Sequence, residues 1–293
     1  MQKLVILGLV GLVAQLVDGS LGMAYGATST TLLLTIGIAP AIASASVHLA
    51  EVGSTLAAGL SHWRFGNVSW RTVMLMTFPG ALGAFLGAVV LSSLSAEIAA
   101  PLVAGFLFLL GLYVLVRFTL RPATGRARQG RLPWWFLSPL GLVAGFLDAA
   151  GGGGWGPIGT PTLLSSGRLE PRKVVGSIDT AEFFVALGAS AGFLLSLGWS
   201  QINQSWVIAL LGGGIVAAPL AAWLVRLLPP PILGAAVGGL ILITNAHTIA
   251  PALGVEGPAL AGAYAFLTGV WATALVWTAL QLRRRPHEHG AMA

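Results

Sequence analysis

Two stretches of this chain, residues 4–36 and 135–166, are too apolar for loops and too long for single membrane spans, and glycine breaks each in its middle. The first break reads Gly19-Ser20-Leu21-Gly22-Met23-Ala24-Tyr25-Gly26, and the second reads Gly151-Gly152-Gly153-Gly154-Trp155-Gly156-Pro157. The stretches are also copies of one another. Gly11-Leu12-Val13-Ala14-Gln15-Leu16-Val17-Asp18 aligns with Gly141-Leu142-Val143-Ala144-Gly145-Phe146-Leu147-Asp148. With one inserted residue the match continues through Pro40 and Pro171, Ser46 and Ser177, and Ala50-Glu51 and Ala181-Glu182. A duplication of this kind restricts the fold to two related halves, joined near residues 118–134.

The medium around those halves follows from charge. Only 8% of residues are charged and the mean hydropathy is +0.87, whereas soluble domains carry about 25% charged residues. A bilayer core needs about 20 apolar residues per helix. Besides the two broken stretches, seven runs meet that length: 40–61, 71–92, 98–117, 173–197, 205–226, 231–248 and 257–281. The fold class is therefore an all-α polytopic membrane protein. With no cysteine in the chain, disulfides, thiolate metal sites and cysteine nucleophiles are excluded. The basic balance (pI ≈ 10.8) does not indicate nucleic acid, because the Lys and Arg residues sit in short loops between apolar runs. Met1-Gln2-Lys3 followed by an apolar run resembles a signal peptide, but no small-x-small cleavage site follows, so the segment is expected to be retained.

Basic residues orient the spans, since cytoplasmic loops carry the excess of Lys and Arg. The linker 118–134 and its edge hold Arg117, Arg121, Arg126, Arg128 and Arg131, so it is expected in the cytoplasm. Counting back over three spans puts Arg64 and Arg71 inside and the N-terminus outside. Counting forward, Arg168, Arg172 and Lys173 come inside only if 135–166 enters and leaves on one face, as a re-entrant hairpin. The remaining spans then place Arg226 and Arg283-Arg284-Arg285 inside, leaving Lys3 as the one basic residue outside. The first repeat becomes 1–117 (hairpin 4–36 plus three spans) and the second 135–248 (hairpin 135–166 plus three). Span 257–281 is extra, and 282–293 is a cytoplasmic tail. Each repeat crosses an odd number of times, so the second is inverted relative to the first. Half-helices of about 15 residues reach roughly 22 Å, enough for the two breaks to meet near the midplane, where many secondary transporters bind substrate. The alternative reading of the broken stretches is as kinked full spans or pairs of short ones.

Irregular backbone at membrane depth persists only where protein or a wet cavity satisfies its amides. After each break a new half-helix begins, with unpaired N–H groups and a partial positive charge. Pro157 suits a first helical position. Hydroxyls crowd both places: Thr28, Ser29, Thr30 and Thr31 on one side, Thr160 on the other. Amides, hydroxyls and a helix N-terminus make an anion site, expected to involve residues 28–31 with Gly152, Gly153, Gly154, Trp155, Gly156 and Thr160. Lys and Arg stand only at the ends of runs (Arg71, Arg117, Lys173 and Arg226), with none inside to hold the anion instead. The competing explanation is that the glycines only permit close helix packing.

Six ionisable residues fall inside the runs: Asp18, His48, Glu51, Asp148, Asp179 and Glu182. A carboxylate at a helix centre costs roughly 2.5–3.5 kcal/mol on insertion scales, so these groups are candidates for proton coupling. Out of water the neutral form of a carboxyl is favoured, and a neutral acid does not repel an anion. Asp18 duplicates as Asp148, Glu51 as Glu182, and His48 aligns with Asp179. Spacing places His48 with Glu51, and Asp179 with Glu182, on one helix face each. Asp18 and Asp148 lie just ahead of new helix starts, so capping stands beside ion coupling for them. Asn245 and His247 close a run and read as a solvated loop start. Trp70, Trp134, Trp135, Trp199 and Trp206 read as interfacial anchors. No Ser/His/Asp set, zinc-protease motif or Walker loop is present, so no enzyme, cofactor or metal is expected.

The segment Gly151-Gly152-Gly153-Gly154-Trp155-Gly156-Pro157-Ile158-Gly159-Thr160-Pro161, followed by Pro171 and the helix with Ser177 and Asp179, resembles the second repeat of the TauE/SafE sulfite-exporter family. Asp18-Gly19-Ser20-Leu21-Gly22-Met23-Ala24-Tyr25-Gly26-Ala27-Thr28-Ser29-Thr30 resembles the first-repeat form in one branch. Ser20, Leu21, Met23 and Ala24 interrupt the multi-glycine pattern there. The resemblance covers nearly the whole chain. It implies an all-helical permease of the cell (inner) membrane that moves sulfite, sulfonates or related anions, coupled to protons. The expectation is a secondary transporter working by alternating access, with a passive channel or a proton or metal-ion pathway as the alternative. Its partners would be the anion, protons and membrane lipid; small residues on the spans also permit a homodimer.

Overall fold

The protein is described as a computed structural model covering residues 2–120, 131–224 and 230–283. The described residues form eleven α-helices and one 3-10 turn, with no strand. In the first half these are α1 (Gln2–Leu21), α2 (Tyr25–Thr35), α3 (Pro40–Arg64), α4 (Trp70–Ser93) and α5 (Ala96–Leu120). The second half repeats the order as α6 (Trp134–Gly151), α7 (Trp155–Ser166), α8 (Pro171–Leu197), α9 (Gln204–Leu224) and α10 (Pro230–Ala252). The 3-10 turn Trp199–Gln201 precedes α9, and α11 (Gly257–Arg283) follows α10. Pro40 and Pro171 open α3 and α8 at first-turn positions, where the missing N–H has no intrahelical partner to lose.

Each glycine-broken stretch is two helices, and the breaks are short. Only residues 22–24 and 152–154 leave helical geometry, so Asp18 stays inside α1 and Asp148 inside α6. Pro157 is the third residue of α7 rather than its first. It remains tolerated because the whole first turn lacks intrahelical N–H acceptors. Asn245 and His247 do not start a loop, since α10 continues to Ala252. Linker residues 121–130, residues 225–226 of the run 205–226, and tail residues 284–293 lie outside the described residues.

Among the described residues, five helices are long and apolar enough to cross a membrane: Trp70–Ser93, Ala96–Leu120, Pro171–Leu197, Gln204–Ala221 and Gly257–Leu282. α3, expected as a span from its length, is not among them. It carries Ser44, Ser46, His48, Glu51, Ser54 and Thr55, all buried. The apolar part of α10 is the shorter segment Gly234–Ala250. Large apolar side chains such as Phe78, Leu195 and Phe266 point outward, as expected where the surrounding medium is hydrocarbon. Trp70, Trp134, Trp135 and Trp199 are exposed at helix ends, where amphipathic rings suit a membrane interface. The chain is an all-helical polytopic membrane protein.

Helix pairing exchanges under the duplication. α1 packs along α9 as α6 packs along α4, and α3 meets α9 as α8 meets α4. α3 also packs on α8, and α5 on α10, so these pairs join equivalent elements of the two halves. Small residues allow the approach: a Cβ on Gly145 would strike the Gly80 carbonyl, and one on Gly11 the Leu210 carbonyl. Gly111 and Gly238 face each other across α5 and α10 in the same way. α11 stands outside this scheme, resting on α10 and α5 with little of its surface covered.

Contacts between links sort the chain ends of these helices. Ser69 N donates to Ser177 Oγ at 2.8 Å, Arg71 to the Leu132 carbonyl, and Arg168 to the Arg131 carbonyl at 3.1 Å. Residues 67–71, 131–133 and 166–177 therefore share one end of the bundle, and α6 begins beside the place where α7 finishes. There Arg172 Nε lies 2.7 Å from Glu170 and, through that hydrogen bond, holds the exposed carboxyl below its ordinary range. At the other end of α8, about 40 Å away at 1.5 Å per residue, residues 36–39 share a groove with residues 200–206. Leu7 near the start of α1 packs with Leu33 of α2, Ile38 and Trp206, so the α1–α2 pair begins and finishes at that second end.

Candidate functional site

The two breaks meet inside the bundle. The Thr160 hydroxyl of α7 donates to the Gly22 carbonyl in the first break. Its duplicate Thr30 lies against Gly152 in the second break, with Oγ1 3.0 Å from where a Cβ would stand. Gly153 has φ +149 and backs directly onto the Ala27 amide and Gly26. No other residue could take that conformation in that space. Gly156 packs in the same manner on Met23 and Gly22.

All the residues expected to bind an anion are buried, and they divide by what their polar atoms do. Asn245 Nδ2 donates to Thr31 Oγ1 at 2.8 Å. The Trp155 indole donates to the Ile178 carbonyl at 3.1 Å while its ring fills the space beside Gly80. Thr160 is engaged with Gly22, so in this conformation it joins the breaks. The hydroxyls of Thr28, Ser29 and Thr30 are buried and have no hydrogen-bond partner. Such groups are rare in folded proteins and call for water or a ligand.

Three amides at the helix starts are not free, contrary to the sequence expectation. Asp148 Oδ1 accepts from Gly154 N at 2.6 Å and Trp155 N at 3.0 Å. Asp18 Oδ1 accepts from Tyr25 N at 3.4 Å. Each carboxylate reaches across its own break and caps the following half-helix, which locates the negative charge where the helix N-terminus favours it. The cap in the second half is tighter and uses two amides.

The six candidate coupling residues form two groups, each with donor atoms within 4.8 Å of one another: His48, Glu51 and Asp148, and Asp18, Asp179 and Glu182. Each group combines an i,i+3 pair from one half with the break-spanning aspartate of the other half. His48 Nε2 lies 3.1 Å from Asp148 Oδ2 and 3.9 Å from Glu51 Oε2. His48 Nδ1 lies 2.8 Å from the Ser44 carbonyl, and the Ser44 hydroxyl donates to the Ala149 carbonyl at 2.9 Å. Both oxygens of Glu51, both of Asp179, Oδ2 of Asp18 and Oε2 of Glu182 make no hydrogen bond.

Three residues outside the sequence expectation complete this interior. His62, buried near the end of α3, lies with Nε2 3.1 Å from Asp179 Oδ2, an ion-pair distance without hydrogen-bond geometry. The duplicate of His62 is Phe193, whose ring centroid is 5.9 Å from that of His48. The bundle thus holds two histidine–carboxylate contacts that are not copies of one another: His48 meets Asp148, and His62 meets Asp179 at the place where the other half sets Phe193 beside His48. The alignment that paired His48 with Asp179 could have found His62 by asking what stands opposite Phe193. Asn245 and Gln15 are also fully buried. Asn245 fell among apolar residues near a run's end, a pattern that gives no contact information.

A bundle of apolar helices closed around two touching backbone breaks, with carboxyl groups and unpaired hydroxyls buried between them, belongs to the class of membrane transporters. The pattern of the sulfite exporter TauE/SafE family matches residues 7–248, and the chain belongs to that family. It is 55% identical over 251 residues to the probable membrane transporter protein YtnM of Bacillus subtilis (strain 168), covering 85% of this chain and 83% of YtnM. It is 26% identical over 220 residues to the probable membrane transporter protein YdhB of the same organism, covering 75% and 88%. A probable membrane transporter protein of Haemophilus influenzae (strain ATCC 51907 / DSM 11121 / KW20 / Rd) is 28% identical over 223 residues, covering 76% and 85%. No solved structure matches the chain.

Proposed function

We propose that this transporter is a proton-coupled secondary carrier of a small sulfur-containing anion, sulfite or a sulfonate, working by alternating access. The observation that carries the reading is the buried, unpartnered hydroxyl of Thr30 lying against Gly152 in the second break, with the hydroxyls of Thr28 and Ser29 also buried and unpartnered in the same helix. Hydroxyl and amide donors without a lysine or arginine suit a small tetrahedral or pyramidal oxyanion. Sulfur as the central atom rests on the family description. Carboxyl groups surround the junction, so the anion enters only with compensating protons, and proton coupling follows from that charge balance.

The two halves act as inverted repeats whose helix pairs α1–α2 and α6–α7 are hairpins entering from opposite leaflets. The exchange of packing partners and the sorting of links at two ends of the bundle support this. Arg71, Arg131, Arg168, Arg172 and Lys173 belong to one end, which the positive-inside rule makes cytoplasmic. The N-terminus is then outside and the membrane is the cell (inner) membrane.

The test is uptake of labelled sulfite into proteoliposomes under an imposed pH gradient. Saturable uptake that collapses when the gradient is removed is expected, with a several-fold higher KM in a Ser29→Ala, Thr30→Val variant. Flux that neither saturates nor responds to the gradient would replace the carrier with a channel.

A further inference from the structure

The hydrogen bonds around His48 fix where one proton sits. A carbonyl only accepts, so the contact with Ser44 O makes Nδ1 the protonated nitrogen. The Ser44 hydroxyl spends its own hydrogen on the Ala149 carbonyl and cannot supply one to the ring. The neutral ring therefore presents a bare Nε2 to Asp148 Oδ2, 3.1 Å away. Two bare acceptors do not hold that distance. One proton must lie between them, either on Nε2 against a carboxylate or on Oδ2 against a neutral ring.

The other oxygen of the same carboxyl holds the Gly154 and Trp155 amides. Those amides open α7, and the unpartnered Thr30 hydroxyl, fully buried, lies against Gly152 at the same break. Hydrogen bonds to a carboxylate are about twice as strong as bonds to a neutral acceptor. Moving the proton from Nε2 to Oδ2 breaks the N–H bond, forms the O–H bond and leaves the ring neutral, with nothing added or removed. It also loosens the carboxyl from the amides.

We propose that Asp148 is an internal anion, that it competes with the transported anion for the α7 amides, and that His48 holds the proton whose transfer decides between them. The inference rests on the anion-carrier reading above. With Asp148 charged, the cradle is filled from within; with Asp148 protonated, the amides and Thr30 accept the guest, and His48 regains a proton from the aqueous side. Each anion bound thereby brings in a proton. Other titratable groups near Asp148 are Glu51 on α3, Asp18 on α1 and Glu182 on α8. α7 carries no charged residue, and the one charged residue of α4, Arg71, is bonded to the Leu132 carbonyl at the bundle's end. On α5, packed against α6, the charged residues are Glu97 and Arg117, one in the helix's first turn and one in its last. In the first half the cap is a single long bond to Asp18, so the switch is confined to the second.

The experiment is calorimetric titration of the purified full-length protein with sulfite in buffers of different ionisation enthalpy, which counts protons taken up per anion bound. Sulfite's own titration is common to all samples and cancels when variants are compared. Asp148→Asn is expected to bind sulfite several-fold more tightly and to take up about one proton fewer than the parent. His48→Gln keeps the Asp148 cap intact and is expected to bind sulfite several-fold more weakly than the parent. Unchanged affinity and proton count in both variants would overturn the inference while leaving the carrier reading in place. Sulfite failing to bind the parent protein would overturn both.

Discussion

The Thr160 hydroxyl donates to the Gly22 carbonyl, tying a side chain of one half to the backbone break of the other. Its duplicate, Thr30, lies against Gly152 in the reciprocal position. One of the two hydroxyls is satisfied and the other is not. The two halves share a scaffold but differ in which of their polar groups are paired. The second half holds its aspartate cap tightly and closes over Thr160. The first half leaves three hydroxyls open.

Closeness at the junction should be intolerant of any side chain. Gly153→Ala puts a Cβ onto the Ala27 amide at a φ of +149, and is expected to destabilise the protein by about 3 kcal/mol from overpacking and backbone strain together. Gly105→Ala meets nothing within 4 Å and is expected to leave stability unchanged or slightly raised. Thermal unfolding in detergent separates them; equal melting temperatures would contradict the packing described.

His62→Phe copies into the first half the ring that the second half already has at Phe193. The variant is expected to fold, because that position tolerates an aromatic ring beside the His48 group. Asp179 loses the imidazole 3.1 Å from its Oδ2, so gradient-driven sulfite uptake should fall several-fold, with sulfite binding less affected. Uptake equal to the parent's at every pH would remove His62 from the coupling route.

Asn245→Leu removes the donor to Thr31 Oγ1 and to the Ile241 carbonyl. Loss of a buried hydrogen bond of this type costs about 1–3 kcal/mol. Because the bond joins α10 to α2, hydrogen exchange should accelerate in α2 more than in α11. Uniform exchange in both helices would contradict the link.

Much of this arrangement was readable from residue order. Hydropathy and the repeated Gly-Leu-Val-Ala motif located one broken stretch and three further runs in each half; the run from 40 began where α3 does, and the run from 173 began two residues after the start of α8. The i,i+3 spacing put His48 with Glu51 and Asp179 with Glu182. Periodicity could not show which half each pair would serve: the groups form across the duplication, His48 with Asp148 and Asp18 with Asp179. Nor could it show that the amides of Gly154 and Trp155 at the start of α7 are already taken, since Asp148 reaches them by folding back over a break only three residues long. Glycine content located the breaks too widely, because Gly19 and Gly151 sit inside helices whose neighbours need them small. α10 runs to Ala252, past its expected end at 248, although Pro251 stands in its last turn.

The most direct test uses the absence of cysteine from the chain. Single cysteines at Ile36, beyond α2, and at Arg168, beyond α7, can be probed with a membrane-impermeant maleimide in intact cells and in inside-out vesicles. Labelling of Ile36→Cys only in cells and of Arg168→Cys only in vesicles is expected if the two helix pairs enter from opposite leaflets. Labelling of both positions from the same side would contradict it, and with it the meeting of two oppositely directed breaks at one anion.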